Sequence, residues 1–306
     1  MKKLQLLFVS IALVFVLAAC SLENGSTSKD SDKVTSKDSL TIGLSISTLN
    51  NPFFVTLNEG AQAKADSLGA KLTVADAQDN ASKQASDVED LIQQGVDLLL
   101  INPVDSAAVA SAVEAANAAG IPVITVDRSS EGGEVVSHIA SDNVAGGELA
   151  GQYLTELVGK DAKVVELEGV AGSSAARDRG EGFNKAIKGQ LDVVARQTAN
   201  FNRAEGLTVM ENILQANPDV LGVFAHNDEM ALGALEAIAA SGKDIKVIGF
   251  DATDDAQAAV KAGTMAATVA QKPEEIGSKA IETAVKYLKG ETVDASIPVE
   301  LELIKK

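Results

Sequence analysis

The chain has 306 residues, 46% of them hydrophobic and only 3% aromatic, with no tryptophan; this is the composition of a globular protein long enough for two medium domains. A formal net charge of −17 at pH 7 argues against nucleic acid as a partner, because an acidic surface repels the phosphate backbone. One cysteine and two histidines leave no disulfide and no Cys/His cluster of metal-binding spacing, and there is no Asp-x-Asn-x-Asp-Gly calcium loop, so neither a metal nor a cofactor is expected.

The first predicted element is an export signal over residues 1–19: Met1-Lys2-Lys3, then the apolar run from Leu4 to Ala19. That run is shorter than the ~20 apolar residues a permanent transmembrane helix needs. It ends in Leu17-Ala18-Ala19-Cys20, which resembles a bacterial lipobox, whose cysteine receives a diacylglyceryl group and becomes the mature N-terminus. Two acyl chains, at about 0.8 kcal/mol per buried methylene, suffice for stable anchoring. Residues 20–38 are rich in Ser, Thr, Lys, Asp, Asn and Gly, a composition that cannot form a core and reads as a tether of roughly 20–25 Å mean span. Loss of Lys2 and Lys3 with the signal takes the formal charge from −17 to −19. Lipid on Cys20, not surface charge, would therefore hold the domain at the outer face of the cell membrane.

From Leu40 onward, short apolar runs alternate with longer helical patterns. The predicted strands are Leu40–Ile46, Lys71–Ala75, Leu98–Ile101, Val123–Val126, Val135–Ala140, Lys163–Leu167, Val193–Gln197, Val220–Ala225, Lys246–Phe250 and Ala266–Ala270. The predicted helices are Phe54–Leu68, Ser82–Gln94, Ser106–Ala119, Asn143–Val158, Ala175–Ile187, Arg203–Ala216, Glu229–Ala240 and Pro273–Leu288, several with Gly just past the last turn. The rhythm implies an α/β protein with parallel sheets covered on both faces. Ten strands exceed one typical open sheet, so two doubly wound lobes are expected, with a boundary near Ser141-Asp142 and more than one chain crossing, since no linker composition interrupts the globular part.

Ligands of open parallel sheets bind beyond the carboxyl ends of the strands. The segments there are Ser47-Thr48-Leu49-Asn50-Asn51-Pro52-Phe53-Phe54, Asp127-Arg128, Asn200-Phe201-Asn202, His226-Asn227-Asp228-Glu229, Asp251 and Gln271. Phe53 and Phe54 are adjacent and cannot both face one core side, so one at least should face a cleft. Asp127-Arg128 could equally form a surface ion pair, and the charges of Arg177-Asp178-Arg179-Gly180-Glu181 a solvated helix face. Together the loops supply carboxylates, guanidinium, amides and flat aromatics, the set a neutral polyol needs for its hydroxyls and its C–H faces.

The chain from about Leu40 to its C-terminus resembles the ribose-binding proteins of sugar ABC importers, of the periplasmic-binding-protein class (type I), whose fold is shared with the sugar-sensing core of the lactose-repressor family. The most specific segments are Ser45–Phe54, Leu100–Asp105, Pro122–Arg128, Glu134–Gly147, Ser173–Phe183, Asn227–Leu235 and Gly249–Asp251. The resemblance implies D-ribose as ligand, held by Ser47, Asn51, Phe53, Phe54, Asp127, Arg128, Arg179, Phe201, Asn227, Asp251 and Gln271. The three Phe would sandwich the ring and the polar residues pair with its hydroxyls, Ser47 lying at the edge. It also implies a three-segment hinge between lobes 39–141 plus 272–300 and 142–271 plus 301–306, and permease subunits of the importer as partners; a monomer is the default expectation. His226, where the family often has an amide, and the lipobox are departures from the pattern.

An enzyme is not expected: the chain has only His138 and His226, no Gly-x-Ser-x-Gly and no Walker Gly-Lys-Ser/Thr loop. A sugar-responsive repressor would need a basic N-terminal DNA-binding module where this chain has an export signal. Within binding proteins, the rival ligands are another aldopentose, allose, galactose or a furanosyl signalling molecule.

Overall fold

The computed structural model describes residues 39–306; the expected signal, Cys20 and the tether lie outside the described residues. The first half alternates β1 (Thr41–Ile46), α1 (Pro52–Leu68), β2 (Lys71–Asp76), α2 (Ala81–Gln93), β3 (Leu98–Ile101), α3 (Ala110–Ala118), β4 (Val123–Val126) and β5 (Ser137–Ser141). The second continues with α4 (Asn143–Val158), β6 (Lys163–Glu168), α5 (Ser174–Ile187), β7 (Asp192–Thr198), α6 (Arg203–Ala216), β8 (Gly222–Ala225), α7 (Asp228–Ser241), β9 (Lys246–Asp251), α8 (Asp254–Ala262) and β10 (Ala267–Ala270). The chain closes with α9 (Pro273–Leu288), β11 (Ser296–Val299) and β12 (Glu302–Lys305).

These strands form two six-stranded sheets, ordered β11-β5-β4-β3-β1-β2 and β12-β10-β9-β8-β6-β7. Each is doubly wound, so the expected pair of α/β lobes is present. Both orders reverse direction at the first strand of their lobe, which places a switch point between β1 and β3 and another between β6 and β8. Every pairing is parallel except that of β12 with β10, which is antiparallel.

Alternation along the strands builds one core on each face of each sheet. In β3, Leu98 and Leu100 face Leu57 and Ala61 of α1 and Ile276 and Ala280 of α9. Leu99 and Ile101 face Val88 and Leu91 of α2 and Val113 and Ala116 of α3. In the second sheet Val165, Val223 and Val247 pack under α6, α7 and α8, while Val164, Phe224, Ile248 and Phe250 pack under α4 and α5. Such strands, buried on both faces, read in sequence as continuous apolar runs.

The structure departs from the sequence expectation at three weakly patterned places. Helix α8 buries only Ala256 and Val260, too few apolar positions for a visible period, although Thr253 caps its start and Gly263 its end. Strands β11 and β12 have four residues each, and Pro298 in β11 lowers its strand signal; it is tolerated because β11 is an edge strand. Helix α3 begins at Ala110 rather than Ser106, because Asp105 Oδ1 accepts the amides of Ala107 and Ala108 in a turn and the Ser106 amide donates to the Gly172 carbonyl of the other lobe.

Candidate functional site

The carboxyl ends of the two sheets face each other, and the helix caps there double as site residues. Asn51 caps α1, its side chain accepting the Phe53 amide at 2.9 Å, with Pro52 in the first turn. This start holds Phe53 and Phe54 edge to face, ring centroids 5.1 Å apart at 86°. Both rings touch the pocket as well as the core, so neither has to choose between cleft and interior. Asn227 caps α7 by accepting the Met230 amide at 3.0 Å, and its Nδ2 donates to the Phe201 carbonyl at 3.3 Å.

At the end of β4, Asp127 has a φ of 62°, and Arg128 follows with its Nη1 donating to the Pro103 carbonyl at 3.0 Å. The pair is buried rather than superficial, with Arg128 Nε 3.7 Å from Asp127 Oδ2. Arg179 projects from α5, which lies so close to α4 that a Cβ on Gly147 would be 2.1 Å from the Arg179 carbonyl oxygen. Its Nε donates to Asn143 at 2.8 Å and its Nη1 to the His226 carbonyl at 2.6 Å, while the guanidinium sits 3.9 Å from the Phe250 ring centroid. In contrast, its neighbour Arg177 is exposed and pairs with Glu131. Gln271, after β10, donates to Asp251 Oδ1 at 2.8 Å. Asp127, Phe201 (57°) and Asp251 (117°) all have positive φ, which is rare outside glycine and concentrates at functional sites.

Ten of the eleven expected residues converge on one pocket: Asn51, Phe53, Phe54, Asp127, Arg128, Arg179, Phe201, Asn227, Asp251 and Gln271. Ser47 is not brought to it. Its amide donates to Asn102 at 3.2 Å, its carbonyl accepts the Asp79 amide at 2.8 Å, and its side chain is fully buried behind the lining. Ala175 also lines the pocket and was missed, since a methyl group on a helix start carries no chemical signal. The side chains close in to leave only about 10 Å³ between them, about the room that one water needs.

The lining holds two guanidinium groups and two carboxylates, a balanced set that matches a neutral ligand better than an ion. Burial raises the Asp127 carboxyl above its usual range despite Arg128 and Arg179. It also pushes Asp251 up to about 7, against the pull of Arg179 and Gln271, and lowers both guanidiniums. Asp127 Oδ1, Arg128 Nε and Gln271 Oε1 are buried and make no hydrogen bond within the protein. Buried polar atoms nearly always have partners, and leaving one without costs about 1–3 kcal/mol. Three such atoms among the lining residues, two from the first lobe and one from the end of β10, mark groups aimed at a ligand.

Two doubly wound lobes with a polar and aromatic pocket between their strand ends define a bilobal solute-binding protein. The chain belongs to the periplasmic binding protein family: the family profile described as "Periplasmic binding protein domain" matches residues 42–292. It is 55% identical over 303 residues to the ribose import binding protein RbsB of Bacillus subtilis (strain 168), covering 99% of each chain. Among solved structures, an ABC transporter solute-binding protein from Mycobacterium smegmatis with bound glycerol is 40% identical with a TM-score of 0.84, over 87% of this chain and 94% of that one. A galactofuranose-binding protein is 31% identical with a TM-score of 0.83, again over 87% and 94%.

Proposed function

We propose that this chain captures D-ribose outside the cytoplasm by closing its two lobes and delivers it to the permease subunits of an ABC importer. The observation that carries the reading is the set of buried Asp127, Arg128 and Gln271 atoms that make no hydrogen bond within the protein, in a pocket also lined by the Phe53, Phe54 and Phe201 rings. The phenyl faces cover the C–H surfaces of the sugar; Asp127, Arg128, Arg179, Asn227, Asp251 and Gln271 pair with its hydroxyls, and Asn51 adds an amide. Ser47 contributes by holding the first-strand loop, not by contact.

Closure turns on a three-segment hinge between lobes 39–141 plus 272–300 and 142–271 plus 301–306. The reading is supported by three passages of the chain from one sheet's layers to the other's, after β5, β10 and β11. The protein works as a monomer, held at the outer face of the membrane by lipid on Cys20. Among the described residues no helix is long and apolar enough to cross a membrane.

A thermal-shift panel of sugars tests this. A ligand at 100 times its Kd stabilises by about 2.7 kcal/mol, so D-ribose should give the largest rise in Tm among aldopentoses, allose, galactose and furanosyl sugars. A larger rise with another of them reassigns the ligand, and no rise with any sugar refutes the site. In the same protein, Cys20→Ser should leave the ribose shift intact and release the protein from the membrane fraction.

A further inference from the structure

Asp228 stands at a strand end beside Asn227, yet its side chain is fully buried and does not line the pocket. Glu229, also in the first turn of α7, is partly exposed and pairs with Arg203. A charge that only complemented the helix end would need no burial. Asp228 instead turns inward against β9 and β10. Its Oδ1 accepts Thr268 Oγ1 at 2.7 Å, and its Oδ2 accepts the Thr253 amide at 2.8 Å and Thr253 Oγ1 at 3.3 Å. A Cβ on Gly249 would be 2.2 Å from Oδ1, so β9 omits a side chain there and admits this carboxyl. Burial, and then the charge of Asp251, raise the carboxyl well above its usual range. The arrangement does not depend on that proton, because the Thr253 amide can only donate to Oδ2, and a threonine hydroxyl can give or take a hydrogen bond at Oδ1.

These contacts clamp the segment that carries Asp251. Asp251 and Ala252 have φ of 117° and 58°, and two consecutive non-glycine residues at positive φ persist only where the surroundings fix them. The peptide group that joins them is held at both ends. Its carbonyl accepts the Gln271 amide at 3.3 Å, and its N–H donates to Thr268 Oγ1 at 3.1 Å. The next N–H along the chain, that of Thr253, is the one held by Asp228. Thr268 Oγ1 thus links the Asp228 carboxyl to the Ala252 amide, and Thr268, itself fully buried, does not line the pocket either. On the pocket side, the Asp251 carboxyl accepts Gln271 Nε2 at 2.8 Å and lies 3.9 Å from Arg179 Nη1.

We infer that Asp228 and Thr268 are positioning residues for sugar binding: from behind the pocket they hold Asp251 at its positive φ, so that its carboxyl faces the ligand before the ligand arrives. Without the bridge, the Asp251–Ala252 peptide is free to turn toward negative φ, and the carboxyl swings away from Gln271. The inference rests on the proposed sugar-binding function.

Thr268→Val keeps the shape of the side chain and removes its hydroxyl, whereas Thr268→Ser keeps the hydroxyl. In calorimetry with D-ribose, Thr268→Val should bind about tenfold more weakly than wild type, the factor that 1.4 kcal/mol gives, and Thr268→Ser within about twofold of wild type. Ligand-free crystals of Thr268→Val should show the Asp251 carboxyl moved away from Gln271 Nε2, and those of Thr268→Ser should show it in place. Asp228→Ala removes the other half of the bridge and serves for the same two measurements if Thr268→Val does not fold. Wild-type affinity in a variant lacking the bridge, or weakened affinity with Asp251 unmoved, would overturn the inference, as would Thr268→Ser binding as weakly as Thr268→Val. Wild-type protein that binds no sugar fails the proposed function instead, and the position of Asp251 in the ligand-free crystals still tests the clamp.

Discussion

Asp251 shows how a single residue in this pocket is set against the stability of the fold. Its carboxyl is pushed up to about 7 by burial, and Arg179 offsets this only in part. Because the folded group holds its proton to higher pH than the unfolded one, whose ordinary value is 3.8, the unfolded state binds fewer protons between those limits. The fold therefore loses stability as pH rises from about 4 to 7 and loses no more from this group above that. Asp251→Asn, which mimics the protonated form, should raise the ligand-free Tm at about pH 8 by an amount worth on the order of a few kcal/mol, and by less near pH 5. The same variant should lose at least about a hundredfold in ribose affinity, because a hydroxyl that faced a charged acceptor then faces a weaker one. Equal Tm gains at both pH values in a thermal melt would contradict the burial argument. Asp251 itself was legible in the sequence because it follows an apolar strand directly. Ala175 was not, because a methyl group is chemically silent, and neither was the contact of the buried His226 with Glu166, 60 residues away in sequence.

At the scale of elements, strands β1, β3, β4, β8 and β9 were legible because burial on both faces makes them continuous apolar runs, and most helices because glycine ends them. What the pattern does not encode is how close two helices lie. Helices α4 and α5 touch through Gly147 and Gly182, where a Cβ would be 2.1 Å from the Arg179 oxygen and 1.9 Å from the Val144 oxygen, respectively. In sequence these are ordinary small residues inside helical runs; in the structure they set where Arg179 enters the pocket. Gly147→Val must push α5 outward, since backbone atoms cannot yield as a side-chain tip does. Overpacking of this kind typically costs about 1–3 kcal/mol, and here it should also weaken ribose binding by displacing Arg179. Gly242→Ala is the contrasting case. Gly242 ends α7 at a φ of 69° with nothing near its Cβ position, so alanine there should cost about 1 kcal/mol of stability and leave binding unchanged. Chemical denaturation paired with calorimetry separates the two; a Gly147→Val protein that binds ribose normally would detach helix packing from the site.

The whole molecule depends on how the lobes meet, which was the least legible level, because residues far apart in sequence make the contact. The Ser106 amide donates to the Gly172 carbonyl, Ser106 Oγ accepts the Ser174 amide at 3.2 Å, and Ser174 Oγ accepts the Ser129 amide at 2.9 Å. Arg177 and Glu131 add an ion pair at 2.6 Å. None of these six residues lines the pocket, so the closed arrangement has a latch separate from its ligand contacts. A sugar that meets residues of both lobes stabilises this arrangement only by contacts it makes better there than in the open one, and the latch shifts the same equilibrium without the sugar. Solution scattering should accordingly show a smaller radius of gyration with ribose than without it. The ion pair is about half exposed on each side, at 44% and 50%, and such pairs contribute about 0.2–1 kcal/mol. Arg177→Glu should therefore speed ribose release in stopped-flow by no more than about fivefold, with association nearly unchanged because the pocket is untouched. Adding Glu131→Arg restores the opposite charges in exchanged positions and should return release to the wild-type rate. If Arg177→Glu releases ribose no faster than wild type, the closed state is held by the serine contacts and the sugar alone.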